Sequence, residues 1–95
     1  MSDVIAVAVA ALNEKMPTGF DGSAKMVIAG EGSIMLDADG ARPGDDEADV
    51  TLTASADVFK GILSGDMNAT TAFMTGKLSV DGNMGLALKL GSALG

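Results

Sequence analysis

The chain contains no cysteine and no histidine. Without cysteine there is neither a disulfide framework nor a thiolate metal site. Without histidine the commonest metal ligand and the usual near-neutral general base are both missing. Aromatic residues are scarce: Trp and Tyr are absent, leaving Phe20, Phe59 and Phe73. Basic residues are outnumbered six to thirteen by acidic ones, for a net charge of −7. That balance argues against nucleic acid, where Lys and Arg must neutralise phosphates, and against electrostatic docking on anionic membranes. The longest apolar run, Val4 to Leu12, has nine residues, far from the roughly 20 that span a bilayer, so stable membrane insertion is not expected. It is flanked by Met1, Ser2 and Asp3, an acid standing where a secretory signal carries positive charge. A cytoplasmic protein with nothing cleaved is the expectation.

What is present is aliphatic. Apolar residues make up 47% of the 95, and their bulk comes from Val, Ile, Leu, Ala and seven methionines. A chain of this length forms one domain over residues 1–95, with a stability margin of roughly 5–15 kcal/mol. Its interior is soft, with few rigid plates.

Segment 4–16 alternates in bulk like a strand at first, yet Ile5, Val9, Leu12 and Met16 fall at helical spacing with Ala8 on the same face. Ser2 or Asp3 can cap its start, and Pro17 disfavours helical geometry at Met16. A helix is predicted. Strands follow at 23–29, 33–37, 49–53 and 77–80. Ala24, Met26, Ile28, Ile34, Leu36, Val50, Leu52, Leu78 and Val80 make up one face; Lys25, Ser33, Asp37, Thr51, Thr53, Lys77 and Ser79 make up the other. This period of two marks a sheet wet on one side and covered on the other. Val27 and Met35 break the rule and are expected together on the outer face. Turns are signalled at 30–32 and 39–40, and Ala41 to Glu47 reads as a loop or a short edge strand. Ser55, Asn68 and Asn83 then cap three helices, the first two ending at Gly65 and Gly76 and the third running to about Leu94. Gly61 inside the first costs about 1 kcal/mol relative to Ala; close packing, close ligand approach and simple tolerance are equally compatible with it.

Few residues are arranged for chemistry. The acidic stretch from Asp37 to Asp49 lacks calcium-loop spacing: Gly40 comes two positions early, and Asp46 stands where a Glu is needed. A solvated loop is the simpler reading, and no metal site is expected. The glycines at 30, 32, 82 and 85 match neither a dinucleotide fingerprint nor a P-loop, so no cofactor is indicated. Asn68-Ala69-Thr70 matches a glycosylation acceptor but is better read as a cap. No nucleophile stands with an activating base. The methionines are either ordinary core filler or a deformable lining that repacks around varied ligands; periodicity does not separate the two.

Two stretches, residues 55–65 (SADVFKGILSG) and 72–90 (AFMTGKLSVDGNMGLALKL), resemble the sterol carrier protein type 2 family. The shared pattern is a Ser-capped helix ending in Gly, an Ala-Phe stretch leading to Gly-Lys-Leu, and a Gly-Asn-Met helix start. Upstream, the order of elements agrees. The resemblance implies a non-enzymatic carrier with a tunnel between sheet and helices for a fatty acid, acyl-CoA or sterol-like lipid, closed by the final helix. It implies that Phe73 and Met74 face the tunnel, with Met84 and Leu88 on the closing helix. Strand parity adds Met26, Leu36 and Leu52, and position adds Met67. The chain departs from the animal carriers in being acidic, and it ends Ser92-Ala93-Leu94-Gly95 without a peroxisomal S-K-L address, which points to a prokaryotic cytosolic version.

The expectation is therefore an α+β fold, a five-stranded antiparallel-rich sheet with one face under helices, binding an apolar ligand. The alternative is a non-enzymatic interaction module with a filled core, whose acidic loop meets a basic partner; no protein partner is indicated by name. A hydrolase would instead need a cleft of clustered Ser, Asp or Lys.

Overall fold

A computed structural model describes residues 3–94. The elements run α1 (Asp3–Lys15), β1 (Ala24–Ile28), β2 (Gly32–Asp37), β3 (Gly40–Pro43), β4 (Val50–Ala54), α2 (Ala56–Ser64), α3 (Ala69–Met74), β5 (Leu78–Gly82) and α4 (Met84–Leu94). Ser2, one of the two candidate caps of α1, lies outside the described residues. The predicted elements are all present, and residues 40–43 form the edge strand rather than a loop.

Local chemistry accounts for the helix boundaries. The Ser55 hydroxyl accepts from the Val58 amide, and Gly65, at φ +87°, closes α2 in the left-handed conformation. The Asn68 side chain accepts from the amides of Thr70 and Thr71 at the start of α3. Asn83 does the same for Leu86 in α4. In α1, Ile5, Ala8 and Leu12 form the buried stripe, and Met16 just beyond it is buried too.

The strands lie in the order β3-β2-β1-β4-β5. Three pairings are antiparallel, whereas β1 and β4 run parallel, Met26 opposite Leu52. Ala24, Met26, Ile28, Ile34, Leu36, Val50, Leu52, Ala54 and Leu78 are all buried on one face, with the helices above them. The parallel pairing has a topological consequence. After the edge strand β3, the chain must return past β2 and β1 to reach β4, and residues 44–49 make that return across the outer face.

This strap corrects the expectation of a wet outer face beside a freely solvated acidic loop. Gly44 lies against Met35, so closely that a Cβ there would come within 2.8 Å of Met35 Cγ. Met35 is only 4% exposed as a result. Ser33 donates its hydroxyl to the Gly44 carbonyl at 2.6 Å, and Lys25 pairs with Asp45 at 3.0 Å. Met35 and Val27 share the outer face but are not opposite each other: Met35 faces Lys25 and Arg42, and Val27 faces Ser33 and Thr53. Lys25, Thr51 and Thr53 are half-buried, and Lys77 and Ser79 are exposed.

The far edge is also covered. The Asn13 side chain, at the end of α1, accepts from the Ala41 amide at 2.8 Å and donates to its carbonyl at 3.1 Å. It thus occupies the free edge of β3 in place of a sixth strand.

Candidate functional site

The helical layer leaves an apolar cleft where α3 and α4 meet β4 and β5. Its floor is Leu52, Leu78 and Val80, with Leu52 directly opposite Val80 in the sheet. Phe59 and Ile62 of α2 form one wall, Ala69 and Phe73 of α3 another, and Met84, Leu88, Gly91 and Leu94 of α4 the roof. No charged side chain lines it. Gly91 allows the close approach of α3 and α4: a Cβ there would stand 3.5 Å from that of Ala69. The volume is about 60 Å³.

The mouth of this cleft is unusual for a surface. Phe73, Met84 and Leu88 are 42%, 45% and 63% exposed, although each also lines the cavity. Scattered exposed apolar residues are ordinary, but several at the rim of one apolar opening mark a site of interaction.

The eight residues expected to face a ligand are divided by the structure. Leu52, Phe73, Met84 and Leu88 line the cleft together. Met26 and Leu36 are fully buried, beneath closely packed helices and away from the cleft lining. Met67 packs half-buried against the core beside Gly61, at 3.2 Å from where a Cβ would stand. Met74 is 78% exposed and does not line the cleft. The reason is helical geometry: neighbours i and i+1 do not share a face, so with Phe73 at the cleft Met74 turns away. Phe59, Ile62, Ala69 and Leu94 were missed. Phe59 and Ile62 had a signal, their spacing of three on the amphipathic α2.

α4 is tied down at its start and at its middle. Its first residues are fixed by the Asn83 amide donating to the Asp49 carbonyl at 2.9 Å. Further along, Lys89 pairs with the Asp21 carboxylate at 2.8 Å. The hydrogen bond and charge of Lys89 hold Asp21 below the usual carboxylate range. A second exposed pair, Arg42 with Asp37 at 2.8 Å, lowers the Asp37 carboxyl through hydrogen bonds from Arg42 and from the Asp39 amide. Both pairs lie away from the cleft lining.

A second, wider groove of about 320 Å³ runs between α1 and α2, bordered by Val7, Ala11, Ala56 and Leu63, with Lys60 on its rim. Among the described residues, no cluster of acidic side chains is placed to hold a metal ion, and no helix is long and apolar enough to cross a membrane.

Comparison with known proteins gives a consistent result. The SCP-2 sterol transfer family matches residues 4–95. Peroxisomal multifunctional enzyme A of Dictyostelium discoideum is 40% identical over 83 residues, 87% of this chain but 18% of that protein. Human sterol carrier protein 2 is 41% identical over 61 residues, 64% of this chain and 10% of that one. The chain thus spans less than a fifth of the length of these relatives. Among solved structures, sterol carrier protein-2 of Aedes aegypti in complex with palmitate superposes with a TM-score of 0.79 at 23% identity, covering 99% of this chain and 96% of that one. The apo form of sterol carrier protein 2 from Yarrowia lipolytica gives 0.65 at 26% identity, covering 96% and 86%.

Proposed function

The chain belongs to the SCP-2 sterol transfer family, and on that premise we propose that residues 1–95 act as a non-enzymatic lipid-binding domain whose ligand enters the cleft under α3 and α4. The ligand class is a fatty acid, acyl-CoA or sterol-like molecule. The observation that carries the reading is an opening lined by apolar side chains whose rim, Phe73, Met84 and Leu88, is left exposed to water. The Aedes aegypti relative, which shares the fold, holds palmitate.

The cleft must widen to accept a chain. At about 60 Å³ it is less than half the roughly 150 Å³ cavity that admits benzene. Collapse is the expected ligand-free state. An empty apolar void costs about 24 cal/mol per Å³, so a standing pocket of roughly 400 Å³ would cost about 10 kcal/mol, comparable to a small domain's whole stability. The present cavity costs about 1.4 kcal/mol on the same scale. The driving force for reopening is burial of the ligand at about 0.8 kcal/mol per CH₂.

The filled interior is also what an acidic interaction module would have. One carboxylate of the acidic loop, Asp45, pairs with Lys25, while Asp46 and Glu47 stay exposed. Uptake of a fluorescent fatty acid by delipidated protein separates the two. A saturable component of binding lost in Leu88→Asp and kept in Met74→Asp is expected, with both variants showing the parent's far-ultraviolet circular dichroism. Equal binding by both variants, or none by the parent, would refute the proposed cleft.

A further inference from the structure

The groove between α1 and α2 has a composition different from that of the cleft. Its walls are apolar: Val7 and Ala11 from α1, Ala56 and Leu63 from α2. Its volume of about 320 Å³ is already within the range of small-molecule sites, about 300–1,000 Å³. One cation stands on its rim. Lys25, Arg42 and Lys89 are each in an ion pair, whereas the exposed Lys60, like Lys15 and Lys77, has no ion-pair partner among the described residues. On a molecule with a net charge of −7, an unpaired ammonium beside an open apolar groove is a local exception. The other polar group there, the Ser64 hydroxyl, is committed to the Gly61 carbonyl and the Asp66 carboxylate.

One residue, Phe59, lines both the groove and the cleft. It is buried, and it is the single residue that the two linings share. The two spaces meet nowhere else in their linings.

We infer that the α1–α2 groove is a second binding compartment, which takes a single-chain anionic lipid with its carboxylate at Lys60 and its chain against Val7, Ala11 and Leu63, while Phe59 keeps this ligand separate from the one under α4. The inference rests on the lipid-binding reading above and adds to it a site, a head-group charge and an anchoring residue. Apolar burial supplies the affinity, and the ammonium fixes the orientation through a charge-assisted hydrogen bond.

The test is calorimetric titration of delipidated protein with laurate, followed in parallel by ¹³C NMR of carboxyl-labelled laurate. Two equivalents and two bound carboxyl resonances are expected. Lys60→Met, which keeps the aliphatic stem at an exposed position, should weaken one equivalent about five- to tenfold and shift its resonance; Lys60→Arg should restore it. Ala11→Phe, filling the groove, should remove the same equivalent. Leu88→Asp should remove only the other. A single equivalent lost in Leu88→Asp and indifferent to Lys60→Met would overturn the inference and leave the cleft reading standing. Two equivalents with neither altered by Lys60→Met would also overturn it. Failure of the parent to bind laurate would remove both.

Discussion

A methyl group at Gly82 would run into the carbonyl oxygen of Asp49, and the residue's φ of +105° is one that L side chains rarely adopt. Gly82 closes β5 opposite Val50, immediately before Asn83 turns the chain into α4. Gly82→Ala should therefore cost more than about 1 kcal/mol, read from urea unfolding. Gly61 presents the opposite case. Its φ is not positive, and an added Cβ would meet Met67 Cβ at 3.2 Å. Alanine would gain about 1 kcal/mol in helix propensity, and the tight contact opposes that gain. Gly61→Ala should therefore be nearly neutral; the full gain would mean that Met67 yields freely. The sequence left Gly61 open among packing, ligand approach and tolerance, because its decisive neighbour belongs to a connection whose path no local pattern predicts. For Phe73 and Met74 the information was available: adjacent positions on a helix do not share a face.

At the scale of elements, two side chains hold parts of the fold together that hydrophobic patterning does not connect. Asn13 satisfies both backbone groups of Ala41 on the edge strand. Asn13→Ala should destabilise by about 1–3 kcal/mol and promote edge-to-edge association, measurable by urea unfolding and by light scattering. Lys89 ties α4 to Asp21. Asp21 titrates below its ordinary value, so its contribution is complete above the unfolded carboxylate pKa of about 3.9 and fades as pH falls through the lower folded value. Lys89→Met should thus show a small deficit in Tm at neutral pH that disappears in strong acid. The pair is exposed, and raised salt should narrow the deficit as well. Helix starts and strand faces were legible because Ser55, Asn68 and the period of two act locally. The strap over the outer face was not. It follows from β4 lying parallel to β1, a long-range choice whose only local trace was the misfit of Met35.

For the whole molecule, the proposed binding site depends on sheet order more than on residue type. Met26, Leu36 and Leu52 have the same strand parity and similar burial, which is why they could not be told apart in the sequence. Only the arrangement β3-β2-β1-β4-β5 puts Leu52, on β4, beside β5 and under α4. Phe73, Met84 and Leu88 were legible through their motif context, and the structure brings them to one opening. In this account the carrier rests collapsed and opens by displacement of α3 and α4. Leu52 in the floor and Leu94 in the roof, now almost wholly buried, then become ligand contacts. The direct measurement is intermolecular NOE spectroscopy between palmitate and the methyl groups of delipidated protein. Cross-peaks from the palmitate chain to Leu52 and Leu94 together with Met84 and Leu88 are expected. Bound palmitate whose cross-peaks reach only outward-facing groups such as Met74, with none to Leu52 or Leu94, would contradict it.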